Sequence, residues 1–164
     1  MRIPASFMHP LFFSKDEITV ETAQPFPNMM KHVPFYYDIT EEEQPWTNME
    51  QSLPPLLELW KDEKETLASL FAKRDRKAAR EPMIRSLAYF LSALFWLNER
   101  KVSNVCEWEK EVKALPLQPL NCLDRLAFIF ARPDLYHSFI QLDELFEELT
   151  KLVYKTIAKR KITK

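Results

Sequence analysis

A chain of 164 residues, 46% apolar and 29% charged, is sized and composed for one hydrophobic core that buries roughly 70% of the surface of its unfolded form. Its formal net charge of −1 provides no overall field to recruit nucleic acid or an anionic membrane. It contains no glycine, where average usage is about 7%. That excludes Walker phosphate loops, dinucleotide fingerprints, nucleophile elbows and EF-hand loops in their usual form, because each needs a backbone that turns with positive φ or approaches a ligand closely.

Residues 1–55 hold eight of the twelve prolines, and each fixes φ and disfavours helix at the residue before it. The segment is also rich in aromatics, among them Phe7, Phe12, Phe13, Phe26, Phe35, Tyr36, Tyr37 and Trp46, which is not the composition of disorder. It predicts an extended arm over residues 1–53 that lays aromatic side chains on a helical domain over 54–164. One-turn helices are expected at 14–17 and 47–50, both capping-box patterns, with a strand at 18–22 as the weaker alternative. Residues 1–50 carry three basic and eight acidic side chains, net −5, and the remainder twenty basic and sixteen acidic, net +4. The two parts attract each other, and an arm of this kind can also reach a second copy of the chain.

A long helix is expected from Pro54 or Pro55 to about Ala79, with Ser52 as its cap. Leu56, Trp60, Leu67 and Phe71 form one face. The polar run 61–66 marks either a stretch exposed on every side or the meeting point of two shorter helices. Pro82 ends or kinks this helix and opens the next, over 83–98. There, between Leu87 and Leu97, Ser92 is the one polar side chain without a large apolar body, so the helix belongs in the middle of the core. It is too short to cross a bilayer, which takes about 20 apolar residues. Asn98 is expected in the left-handed cap position. A short helix with Val105, Trp108, Val112 and Leu115 at helical spacing follows, capped by Ser103 or Asn104. An apolar helix spans 122–131 and a last one about 136–159, whose stripe runs through Leu142, Leu145, Phe146, Leu149, Leu152 and Val153. The fold class is all-α: one bundle of about five helices around a central buried helix. Cys106 and Cys122 make no Cys-x-x-Cys pair and read as two buried thiols in a reducing cytoplasm. No signal peptide is legible.

Four groups of residues invite chemistry. His137, Gln141, Glu144 and Glu148 form one polar line on the last helix, either half of a metal site or a solvated face. Tyr136, His137 and Ser138 resemble a hydrolase cluster, but adjacent helical residues point in different directions, and hydrogen bonds to nearby backbone explain them better. Lys73, Arg74, Arg76, Lys77 and Arg80 crowd the expected end of the long helix, and Lys151, Lys155, Lys159, Arg160, Lys161 and Lys164 decorate the tail. Both sets complement a negative helix C-terminus, and they can track a phosphate backbone only if they share a face with Arg125 and Arg132. Arg125 and Asp124 lie on a core-seeking helix, so Arg125 is expected in an ion pair with a neighbouring helix.

The strings Leu94-Phe-Trp-Leu-Asn98, Pro119-Leu-Asn121, Asp124-Arg-Leu126, Tyr136-His-Ser-Phe-Ile-Gln-Leu142 and Glu144-Leu-Phe-Glu-Glu148, with the stretch from Trp108 to Pro116, resemble the YpoC-like family of uncharacterised Bacillus proteins. The Tyr-His-Ser-Phe-Ile-Gln-Leu string is the most specific part, and His9-Pro-Leu-Phe-Phe13 is similar to the family's start. The resemblance implies an intracellular protein without an established activity, whose gene tends to lie near DNA repair and replication genes. It assigns no catalytic residue.

Together these features predict a non-catalytic cytoplasmic helical protein, without cofactor or metal, that binds another macromolecule, foremost a protein. Tyr136, His137, Gln141, Arg125 and Arg132 are its candidate binding residues. The alternative is a nucleic-acid-associated accessory protein using the patch over 73–80, and a third reading is a helical metal-dependent hydrolase around His137 and Glu144.

Overall fold

Among residues 1–163, which the computed structural model describes, the chain is all-α. Its helices are α1 (Tyr36–Thr40), α2 (Met49–Ala72), α3 (Arg76–Leu97), α4 (Trp108–Lys113), α5 (Cys122–Ala131) and α6 (Tyr136–Thr163). Lys164 of the basic tail lies outside the described residues.

The apolar run at the centre of the sequence is the centre of the molecule. Every residue of α3 from 86 to 97 is buried, as a helix without a polar face requires. α2 turns back onto α3, and α6 packs across both: Phe146 stacks on Trp60 (ring centroids 4.5 Å, planes 7° apart) and meets Phe90 edge-on at 5.2 Å. α5 lies beside α6, and α4 is fixed to α5 by Trp108 stacked on Phe130 at 4.1 Å. The expected stripe of α6 is buried at Leu142, Leu145, Phe146, Leu149 and Val153, with Leu152 at its edge.

The helix boundaries depart from the sequence expectation where it relied on proline and glycine punctuation. α2 begins at Met49, with Pro54 and Pro55 inside it, and Ser52 caps nothing: its hydroxyl donates to the Pro45 carbonyl at 2.7 Å. The helix passes unbroken through 61–66. Within that run Glu63 takes Arg85 of α3 in a two-pronged pair (2.5 and 3.2 Å), and Lys64 reaches Asp143 of α6 at 2.9 Å. α2 stops at Ala72, well before Ala79, because Arg74 turns left-handed (φ 58°) and the Asp75 N–H reaches back to the Leu70 carbonyl at 2.9 Å, a Schellman closure. The Asp75 carboxylate then caps α3 by accepting from the Ala78 N–H at 3.1 Å. Pro82 neither ends nor opens a helix; it lies within α3, at the loss of one backbone donor. At the far end of α3 the left-handed residue is Glu99 (φ 58°), not Asn98. Asn98 instead uses its amide to bond the Leu94 and Leu117 carbonyls and the Leu117 N–H (2.8–2.9 Å), tying α3 to the link before α5.

The arm is a chain of turns more than an extended ribbon, with 3-10 turns at Ala5–Phe7, Asn28–Lys31 and Pro45–Thr47 around α1. No helix forms at 14–17, and the strand alternative at 18–22 does not form either; an isolated bridge pairs Arg2 with Glu17. Ile3, Phe7, Phe13, Met30, Phe35 and Tyr37 join the same core cluster as α2, α3 and α6 of the same chain. Lys101 pairs with Glu41 across the arm and body. Cys122 is buried and Cys106 exposed, both as free thiols, so the expectation of two buried thiols holds for Cys122 alone.

Seven residues, Phe35, Glu41, Glu43, Gln44, Arg74, Glu99 and Asn121, hold left-handed backbone that glycine would normally take, at roughly 1–2 kcal/mol each. Glu43 is exposed and makes no ion pair among the described residues. Glu43→Gly is therefore expected to raise the unfolding free energy, by about 0.5 kcal/mol once the greater freedom of glycine in the unfolded chain is subtracted. Chemical denaturation would read this as a higher midpoint at unchanged slope.

Candidate functional site

Two of the sequence-predicted groups meet at one end of the bundle. The turn between α2 and α3 carries Lys73 and Arg74, and the opening turns of α3 carry Arg76, Lys77 and Arg80, all exposed. The link from α5 to α6 carries Arg132 and Asp134 and leads into Tyr136. Arg76 joins the two segments by its pair with Asp134 at 3.2 Å, and Phe71 meets Tyr136 edge-on at 5.7 Å. Between them opens a groove of about 430 Å³ lined by Ala68, Phe71, Ala72, Arg74, Tyr136 and Phe139. Phe71 and Phe139 are stacked at 5.3 Å beneath it, whereas Tyr136 is 59% exposed.

Lys73 and Arg74 complement the negative end of α2, but the rest of the cluster runs against helix electrostatics. Placed at the end of one long helix, the five cations would complement its dipole; the break at Arg74 instead puts Arg76, Lys77 and Arg80 in the opening turns of α3, where the dipole end is positive. Among the described residues only Arg76 of the five has an acid within ion-pair distance.

The remaining candidates lie along the seam of α5 and α6. Arg125, 18% exposed at its side chain, donates to Glu148 at 2.5 Å, to Gln141 at 3.3 Å and to the Leu120 carbonyl at 3.1 Å, with Glu144 at 3.9 Å. The hydrogen bond to Glu148 holds the guanidinium above its ordinary pKa. This is the ion pair expected for a charge on a core-seeking helix. One turn further on, exposed His137 meets Phe128 edge-on at 5.8 Å, and the buried Ser138 hydroxyl donates to the Arg132 carbonyl at 2.5 Å. His137 therefore faces a ring while Glu144 and Glu148 are turned to a cation, so the metal-site and hydrolase readings find no converging donors here. Replacing Arg125 with Met is expected to lower stability by about 1–2 kcal/mol, since it strands a half-buried Glu148. The same change beside Glu148→Gln should cost less than the sum of the two single changes, a double-mutant cycle that isolates the pair.

The tail cations lie elsewhere. Lys161 is 3.6 Å from Glu50 at the start of α2, and Arg160 pairs with Glu99 beyond the end of α3. The length of α2, 24 residues or roughly 36 Å, separates them from the 73–80 cluster. The two basic patches thus occupy opposite ends of the bundle.

One buried site was not foreseen. Asp38 of α1, 1% exposed, accepts from the Val102 N–H at 2.8 Å, the Trp96 indole N–H at 2.9 Å and the Ser92 hydroxyl at 3.1 Å. Burial raises its pKa to about 6 against these lowering bonds. Tyr89, seven residues before Trp96 in α3, is also buried, and its hydroxyl has no partner within hydrogen-bond geometry among the described residues.

The architecture defines a small all-α protein with a basic, aromatic-lined end. A family model described as YpoC-like protein matches residues 50–161, and the chain belongs to that family. The "Uncharacterized protein YpoC" of Bacillus subtilis (strain 168) is 34% identical over 125 residues, which cover 74% of this chain and 76% of that one. No solved structure matches the chain. No helix among the described residues is long and apolar enough to cross a membrane.

Proposed function

We propose that this chain is a non-catalytic cytoplasmic protein that binds another protein through the bundle end built from the α2–α3 turn and the α5–α6 link. The observation that carries the reading is the groove beside Tyr136: apolar walls open to solvent, with cations near them of which only Arg76 has an acid partner among the described residues. Buried hot spots in protein interfaces have this anatomy, an aromatic-lined pocket inside a charged rim. The Lys64–Asp143 pair and the stack of Trp60 on Phe146 hold α2 against α6, the two helices that line the groove. Affinity purification from cells of a source organism, with and without nuclease, tests the reading. One partner protein recovered in both arms supports it; recovery of no partner, or recovery that nuclease abolishes, counts against it.

A second reading, a nucleic-acid accessory role, draws on the same cations and on Tyr136 as a stacking surface. The separation of the two basic patches leaves it a single short cluster where a phosphate backbone would follow a longer stripe.

A further inference from the structure

We infer that the groove between the end of α2 and the start of α6 takes an acidic protein segment, seating one aromatic or aliphatic side chain between Phe71 and Tyr136 with carboxylates on the cations of the α2–α3 turn. The inference rests on the protein-binding reading above and adds to it a location and a ligand chemistry.

Shape comes first. Ala68 and Ala72, one helical turn apart and both exposed, leave a notch in α2 where larger residues would have closed it, and the rings of Phe71, Tyr136 and Phe139 form its walls. A notch of this kind suits the burial of a single side chain. It is less suited to stacking successive bases, which takes a row of exposed rings.

Charge decides the rest. Arg74 stands in the groove wall, Lys73 precedes it, and Lys77 and Arg80 follow on the first turns of α3. None of these four has an acid within 4.0 Å among the described residues; of the acids close by in sequence, Asp75 caps Ala78, Asp134 holds Arg76, and exposed Glu81, one turn beyond Lys77, reaches none of them. Lys77 also sits in the first turn of α3, at the positive end of the helix dipole, where a cation lowers stability. Residues that break a local electrostatic rule without an internal partner are the mark of a surface kept for a ligand. The chain as a whole is nearly neutral, so the attraction acts at short range, within a Debye length of about 8 Å, and acts on a segment that carries both the carboxylates and the anchor.

The test uses the full chain and a short fluorescent peptide of Asp and Glu residues around one Phe, with three comparison probes: the same peptide with Ser for Phe, a version with Lys for each acid, and single-stranded oligothymidylate. The acidic Phe peptide is expected to bind, to weaken with added salt, and to lose at least about tenfold in affinity with the Ser peptide, with Ala72→Trp, which fills the notch, and with Arg74→Glu/Lys77→Glu. Lys77→Glu alone should leave the melting temperature near the parent's, the gain at the helix start being offset by Glu81 one turn on, while weakening binding, which separates a lost contact from a damaged fold. Binding unaffected by Ala72→Trp and the charge reversals overturns the inference, as does failure of the acidic peptide to bind. Tighter binding of oligothymidylate than of the peptide overturns it in favour of nucleic acid. If affinity purification recovers a partner whose capture survives these substitutions, protein binding stands and this groove is not its site; if it recovers no partner, the protein-binding reading itself falls.

Discussion

Asp38→Ala is expected to lower the unfolding free energy at neutral pH by about 3 kcal/mol, because it strands three buried donors at once, each worth about 1–3 kcal/mol when left unmade. The Trp96 indole N–H, the Val102 N–H and the Ser92 hydroxyl all end on this carboxylate, and no water reaches a side chain that is 1% exposed. Asp38→Asn should fall within about 1 kcal/mol of the parent. Its amide oxygen keeps the Trp96 and Val102 bonds, and the Ser92 hydroxyl can rotate to accept. Equal losses for the two variants would mean that shape and not hydrogen bonding sets the cost. Urea titrations monitored through Trp96 and its three fellow tryptophans would decide it.

The same carboxylate has a pH signature of fixed sign. Its partners are neutral donors, so burial outweighs hydrogen bonding and lifts the folded-state pKa from 3.8 to about 6. The folded state therefore holds this proton more tightly than the unfolded chain does, and stability falls as pH rises through the interval from about 4 to 6, by up to about 3 kcal/mol, then levels off. Carboxylates elsewhere in the chain titrate in the same interval. The diagnostic quantity is thus the difference between the parent and Asp38→Asn. That difference should move in the parent's favour on acidification from pH 7 to 4, and a difference that stays flat would show that Asp38 titrates as an ordinary surface acid.

The central helix could be read from the sequence because a run of residues with no polar face has one place to go. That Arg125 would be paired was legible for a related reason, since a charge on an apolar helix needs a partner, but the partner was not: the line Gln141, Glu144, Glu148 read as half a metal site or a solvated face. The end of α2 was not legible, since the chain has no glycine to mark a left-handed stop and Arg74 does that work under the guise of a helical cation. That single break relocates Arg76, Lys77 and Arg80 from the favourable end of one helix to the unfavourable end of the next, and so changes what the cluster means. Asp38 was hidden by distance: its partners Trp96 and Val102 lie 58 and 64 residues away, and nothing around Tyr36-Tyr-Asp-Ile-Thr40 distinguishes a buried acid from a solvated one. The groove was hidden likewise, because Phe71 looks like any stripe residue until α6 is laid against α2.

Deleting residues 1–48 is expected to abolish cooperative folding, although the helices α2 to α6 and all of the family match lie beyond the cut. The arm supplies Ile3, Phe7, Phe13, Met30, Phe35 and Tyr37 to the core, all 6% exposed or less. At about 1.5–3 kcal/mol for each buried side chain, their loss is of the order of 10 kcal/mol, comparable with the whole stability of a domain. Polar losses add to this: the Ser6 carbonyl accepts from the Val105 and Cys106 N–H groups at 2.8 and 3.2 Å, and Asp38 leaves with the arm. Phe26, 6.2 Å from Trp96, and Phe12, 6.0 Å from Phe130, also uncover aromatic surface on α3 and α5 when removed. The truncated chain should therefore keep helical circular dichroism but lose its sharp thermal transition and bind a hydrophobic dye, as a loosely packed helical state does. A truncated chain that melts cooperatively near the temperature of the full chain would instead make the arm a separate layer, and the core of α2, α3 and α6 sufficient without it.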